Sequence, residues 1–157
     1  MTMPLKVLWV EDGARHDYRH YLVPVYLESK IHLQTVEDAT QAVSMLRSTK
    51  YDALILDVRI FPGQDPFWVE KFRHASNDKA EAQLGIELMH FMLDGAKSGI
   101  PTGWINLSSV AFFTVEDWSY VQQKLRIQID EKQYERKRID SPDDILLQLI
   151  KRVIGNK

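Results

Sequence analysis

The stretch Lys50-Tyr51-Asp52-Ala53-Leu54-Ile55-Leu56-Asp57-Val58 places an unbroken apolar run, Ala53 to Leu56, directly before an acid. A run that is apolar at every position, not at every second one, suits a strand covered on both faces, as in a parallel sheet. Upstream, Val7-Leu8-Trp9-Val10 is a second such run, and it too ends on acids, Glu11 and Asp12. Ile31 to Val36 and Trp104-Ile105-Asn106-Leu107 are weaker strand candidates. A fifth, around 132–136, is polar enough for a sheet edge.

Helical periodicity fills the intervals. Tyr18, Tyr21, Leu22, Val25 and Tyr26 share a face, with Pro24 a potential kink. Ala39, Ala42, Val43 and Leu46 form the next stripe, followed by Leu84, Leu88, Met89 and Met92. Val115, Trp118, Val121 and Leu125 form a fourth, and Ile145, Leu146, Leu149, Ile150 and Val153 a fifth. Helix starts are expected at Thr114-Val115-Glu116-Asp117 and at Ser141-Pro142-Asp143-Asp144, each with a hydroxyl three residues before an acid, and the second with Pro142 at the first helical position. Strand and helix alternate five times. Right-handed crossovers make of this a doubly wound α/β sandwich; the fold expected is an α/β, doubly wound, flavodoxin-like five-stranded parallel sheet, order 2-1-3-4-5, with helices on both faces.

The chain of 157 residues is expected to be one domain, with an insertion at about 61–83. The stretch from Val58 to Gln83 is far longer than the roughly 2–6 residues of an ordinary βα loop. Within it, Gln64-Asp65-Pro66 suits a helix start running through Trp68 and Phe72. We expect Phe61, Phe67, Trp68 and Phe72 to pack this segment against the body; the other reading is a partner-binding patch or a lid over Asp57.

Composition excludes several classes. With 20 basic and 22 acidic residues the formal charge is −2, and the basic cluster Lys132, Arg136, Lys137, Arg138 is offset by Glu131, Glu135 and Asp140, so no direct nucleic-acid binding is expected. The chain has 0 cysteines, which removes disulfides, thiol nucleophiles and Cys-based zinc sites. No apolar run approaches the roughly 20 residues of a membrane span, and the N-terminus lacks a signal-peptide layout. A cytoplasmic location with no membrane association is the expectation. His16 and His20 stand at i and i+4, but Asp17 replaces the Glu of a zinc-protease motif, so they read as surface histidines.

In open α/β sheets, ligands bind beyond the carboxyl ends of the strands, where strand order reverses. Glu11, Asp12 and Asp57 end neighbouring strands in the expected order, so their carboxylates converge. Clustered carboxylates repel unless one is protonated or a cation binds. A hard, all-oxygen donor set suits Mg²⁺. Ser108, closing the fourth strand candidate, and Lys137, after the fifth, offer a hydroxyl and an ammonium suited to phosphoryl oxygens at the same edge; the plainer readings are a cap or turn residue for Ser108 and a solvated basic cluster for Lys137.

This layout resembles the receiver (response regulator) domain of bacterial two-component signalling. Lys6-Val7-Leu8-Trp9-Val10-Glu11-Asp12 is similar to that family's first strand and acidic pair. Asp38 to Val43 and Lys50 to Val58 are similar to its second helix and phosphoacceptor strand. Leu84-Gly85-Ile86-Glu87-Leu88-Met89 resembles its Asp-Gly-Leu-Glu-Leu-Leu helix start, with Leu84 in place of the Asp. The resemblance implies Asp57 as phosphoacceptor and Mg²⁺ held by Glu11, Asp12, Asp57 and the backbone carbonyl of Arg59. It also implies Ser108 as the hydroxyl switch, Tyr134 as the aromatic switch and Lys137 as the phosphate-contacting lysine. Arg138 departs from the family, which has proline after the lysine in a cis peptide; a cis bond before a non-proline costs about 2.5–4 kcal/mol. The implied partners are a sensor histidine kinase or phosphotransfer protein and a downstream protein, with a homodimer possible, since no chain remains for a DNA-binding output domain. The alternatives are a receiver-like interaction module that is not phosphorylated, and a Mg²⁺-dependent phosphatase with an aspartyl nucleophile. The phosphatase reading is weakened because Arg59 stands where such enzymes carry a second acid.

Overall fold

The computed structural model describes residues 3–155. Its centre is a five-stranded parallel sheet of order β2-β1-β3-β4-β5, as expected. The strands are β1 (Leu5–Val10), β2 (Ile31–Val36), β3 (Ala53–Leu56), β4 (Val110–Thr114) and β5 (Tyr134–Arg136). Side chains alternate across a strand, so each continuous apolar run feeds both faces. Leu8, Val10, Leu54, Leu56, Val110 and Phe112 face one core. It is closed by α2 (Ala39–Ser48), α5 (Leu84–Leu93) and α7 (Trp118–Lys124). Val7, Trp9, Ala53, Ile55, Ala111 and Phe113 face the other, closed by α1 (Leu22–Tyr26) and α8 (Ile145–Ile154). From α8, Leu146, Leu149, Ile150, Val153 and Ile154 are buried, each contributing roughly 1.5–3 kcal/mol of transfer free energy.

Several expected boundaries move, each for a local reason. The fourth strand is β4, Val110–Thr114, and not the 104–107 run, which leads into a 3₁₀ turn at Leu107–Ser109. Val110-Ala111-Phe112-Phe113 is the run that finds partners: Leu54, Ile55 and Leu56 pair with Val110, Ala111 and Phe112. Thr114 is therefore a strand residue and not a helix cap; Asp117 caps α7 by accepting from Tyr120 N at 2.8 Å. The last helix begins at Ile145, so Pro142 precedes it, and Ser141 Oγ accepts from Arg138 N at 3.0 Å instead of capping the helix. Pro24 sits in the first turn of the short α1, where its missing N–H leaves nothing unpaired.

The segment between β3 and α5 carries α3 (Pro66–His74) and α4 (Lys79–Ala82), and the short α6 (Gly95–Ser98) follows α5. Asp65 caps α3 as expected, accepting from Phe67 N at 2.9 Å with Pro66 in the first turn. Trp68 and Phe72 are buried in the main core, and Trp68 meets Phe91 edge-on at 5.2 Å. Phe61 and Phe67 stay about half exposed, at 47% and 46%. The aromatics therefore divide: two pack the segment down, and two remain at its surface. The N-terminus of α2 ties the segment's start, with Ala39 N donating to Phe61 O at 3.0 Å and Thr40 Oγ1 to Pro62 O at 2.7 Å.

Candidate phosphoryl and metal site

Each strand end is carried one residue past the sheet by a backbone hydrogen bond, and those residues bear the chemistry. Glu11 N donates to Val36 O at 2.9 Å, Asp57 N to Val10 O at 3.1 Å, and Lys137 N to Thr114 O at 2.8 Å. The ladder thus aims side chains from β1, β3 and β5 into one cleft of about 350 Å³, whose walls include Gly13, Tyr18, Arg59 and Lys79.

Glu11, Asp12 and Asp57 each offer a carboxylate oxygen within 4.8 Å of the others. Glu11 and Asp57 are nearly sealed, at 1% and 5% exposure, and Asp12 is half-buried at the mouth. Lys137, 5% exposed, donates from Nζ to Glu11 Oε2 at 2.5 Å and to Asp57 Oδ2 at 3.2 Å. Its ammonium also lies 4.1 Å from the centre of the Tyr18 ring. Among the described residues there is no cis peptide, so Lys137 reaches both acids from an all-trans loop with Arg138 following.

Burial, joined by the charge of Asp57, raises the Glu11 carboxyl to about 9, against the pull of Lys137. Burial lowers the Lys137 ammonium, but the charges of Asp57 and Glu11 outweigh it and hold it above its ordinary value. Burial raises Asp12, yet hydrogen bonds from Lys79 and from Glu11 outweigh that, and its carboxyl lies below the ordinary value. Asp57 Oδ1 accepts from Val58 N at 2.8 Å, leaving Oδ2 toward Lys137.

Two close approaches set this geometry. Gly85 packs the start of α5 onto the end of β3: its N donates to Val58 O at 3.0 Å, and a Cβ there would stand 1.7 Å from the Asp57 carbonyl oxygen. Across the cleft, the Arg59 guanidinium pairs with the Glu116 carboxylate, and Tyr134 Oη donates to Glu116 O at 2.6 Å. Tyr134 also lies against Trp118, with ring centres 5.2 Å apart. Glu116 therefore links the loop after Asp57 to the edge strand.

Of the expected site residues, Glu11, Asp12, Asp57, Arg59 and Lys137 line the cleft, and Tyr134 is joined to it through Glu116. Ser108 is not there. It precedes β4 and hydrogen-bonds to Asn106 Oδ1, which puts about 13 Å of strand between it and the carboxyl end. The hydroxyl at that end is Thr114, fully buried, one residue past Phe113 and bonded through its carbonyl to Lys137 N. The apolar run ending on a hydroxyl, Val110 to Thr114, was its sequence signal. Tyr18, expected on a helix face, instead covers Lys137, and Lys79, donating to Asp12 Oδ2 at 2.7 Å, had no local signal at all. His16 and His20 are exposed and belong to no metal-binding group among the described residues.

No family model matches the chain, and no curated relative matches it. Its backbone is similar to solved receiver domains. The receiver domain of the Francisella response regulator 1452 superposes with a TM-score of 0.56 at 15% identity, covering 96% of each chain. The receiver domain of the sensor histidine kinase PA1611 of Pseudomonas aeruginosa, with a magnesium ion coordinated in its active-site cleft, gives 0.51 at 19% identity over 98% of this chain and 99% of that one. The phosphorylated cyanobacterial phytochrome response regulator RcpA gives 0.53 at 19% identity over 97% and 90%. The chain has the receiver-domain fold. No helix among its described residues is long and apolar enough to cross a membrane.

Proposed function

We propose that this chain is a receiver domain that accepts a phosphoryl group on Asp57 in a Mg²⁺-dependent reaction and signals by protein–protein contact. The observation that carries the reading is the convergence of Glu11, Asp12 and Asp57 within 4.8 Å, with the Lys137 ammonium 3.2 Å from Asp57 Oδ2. These carboxylates are hard donors without nitrogen or sulfur, which fits a magnesium ion completed by water and phosphate. Glu11, Asp12, Asp57 and the carbonyl of Arg59 would hold it. Bound there, it would neutralise charge on the phosphoryl oxygens.

In the reaction, an Asp57 carboxylate oxygen attacks the phosphorus in line. An O–P bond forms, and the P–N bond of a partner's phosphohistidine, or the P–O bond of a small acyl phosphate, breaks. The leaving group departs with the electron pair, the histidine nitrogen taking a proton from water and the carboxylate of an acyl phosphate leaving as the anion. Lys137 sits beside Asp57, where it stabilises the negative charge on the phosphoryl oxygens. Thr114 takes the hydroxyl role first expected of Ser108, donating to a phosphoryl oxygen. The Tyr134–Glu116–Arg59 linkage gives the edge strand a route for sensing that change. The partners are a sensor histidine kinase or phosphotransfer protein in the cytoplasm, and a downstream protein that includes a second copy of the chain as an option.

Incubation with acetyl phosphate and Mg²⁺ should add one phosphate to the intact protein by mass, and Asp57→Asn should abolish it. An unmodified wild type beside a labelled receiver control would overturn the reading. A second reading, a receiver-fold interaction module that is never phosphorylated, is favoured by one observation: each of the three carboxylates already meets an ammonium, from Lys137 or Lys79.

A further inference from the structure

Lys79 belongs to the segment between β3 and α5, far in sequence from the acid it meets. Its Nζ lies 2.7 Å from Asp12 Oδ2, across 67 positions of chain. The same ammonium stands 4.4 Å from the centre of the Phe61 ring, so it is held between an aromatic face and a carboxylate. Its backbone is equally placed. Asp78 caps α4 by accepting from Ala80 N at 2.8 Å, and Gln83 turns the chain sharply (φ 48°) from α4 into α5, beside Gly85 and Asp57. On its far side, α4 receives a hydrogen bond from α7, Tyr120 Oη to Ala80 O at 3.4 Å.

Asp12 is the outermost of the three acids, and a divalent ion using it must share the carboxylate with Lys79 or displace it. Two cations drawn to one carboxylate repel each other, so occupancy by one weakens occupancy by the other. From this geometry we infer that Lys79 is a built-in competitor of the divalent ion at Asp12, and that metal entry releases Lys79 and loosens α4 from the cleft mouth. The inference rests on the reading of Glu11, Asp12 and Asp57 as the metal site. It adds a regulatory element: the segment after the phosphoacceptor strand sets metal affinity, and metal loading is passed to α4 and, through Ala80 and Tyr120, to α7.

The test is calorimetric titration of the full chain with Mg²⁺, comparing wild type, Lys79→Gln and Lys79→Arg, with melting curves to verify folding. Removing the competing charge should tighten Mg²⁺ binding about tenfold in Lys79→Gln, while Lys79→Arg stays near wild type. Hydrogen exchange supplies the second readout. Saturating Mg²⁺ should speed exchange across 79–83 in wild type and leave it unchanged in Lys79→Gln. Equal or weaker Mg²⁺ binding by Lys79→Gln overturns the competitor role and leaves the metal site standing. Absence of Mg²⁺ binding by all three proteins overturns both the inference and the site on which it rests.

Discussion

Lys137 Nζ lies 2.5 Å from Glu11 Oε2, joining residues 126 positions apart in a contact almost closed to water. It bonds Asp57 Oδ2 as well, at 3.2 Å, so one ammonium serves two buried carboxyls. Removing it leaves Asp57 without a counter-charge and Glu11 without its hydrogen-bond donor. Lys137→Met should therefore destabilise the metal-free protein by about 3–5 kcal/mol, read as a lowered urea midpoint. Magnesium should restore part of the loss by supplying the missing charge. An unchanged midpoint would show that Glu11 and Asp57 do not depend on Lys137.

The raised Glu11 carboxyl has a consequence for pH. In the unfolded chain it ionises at its ordinary value of 4.5, and in the folded protein at about 9. Between those limits the folded state holds the extra proton, so this group's contribution to stability falls as pH rises, by at most about 1.4 kcal/mol per pH unit. Below 4.5 both states are protonated and the contribution is complete; above about 9 no further loss occurs. Glu11→Gln removes the titration. In metal-free buffer its stability relative to wild type should climb steadily from pH 5 to pH 9 (an interval set by the same linkage, roughly the span of the shift). A flat difference across that range would remove the buried proton from the account.

Gly85 admits no side chain, because the first carbon of one would overlap the Asp57 carbonyl. Gly85→Ala must push α5 away from β3 and carry Asp57 with it. We expect a destabilisation of roughly 1–3 kcal/mol by thermal or denaturant unfolding, together with slower labelling by acetyl phosphate. Labelling at the wild-type rate in a destabilised Gly85→Ala would separate the packing role from the positioning of Asp57.

The placement of the hydroxyls makes two substitutions informative side by side. Thr114→Val removes the one at the carboxyl end of β4 and should slow phosphoryl transfer about a hundred- to thousandfold, the range for losing a donor to developing charge. Ser108→Ala, at the opposite end of that strand, should label at the wild-type rate. The reverse pattern in a time course of acetyl phosphate labelling would overturn the assignment of Thr114.

The first and third strands and the acids that end them were legible in the amino-acid order because burial on both faces demands unbroken apolar runs, and such runs are local. Val7 to Val10 and Ala53 to Leu56 have that form, so Glu11, Asp12 and Asp57 could be placed at their ends before any contact was known. The fourth strand was not settled by the same rule. Trp104 to Leu107 and Val110 to Phe113 are both short and apolar, and only pairing with β3 selects the second, moving the site hydroxyl from Ser108 to Thr114. Lys79 lay further out of reach. Nothing beside it in sequence marks its ammonium for Asp12, because that pairing exists only once the long segment has been folded back over the cleft. Local composition dictates strands; the partner of a charge depends on which distant segments the packed core brings within a few ångströms.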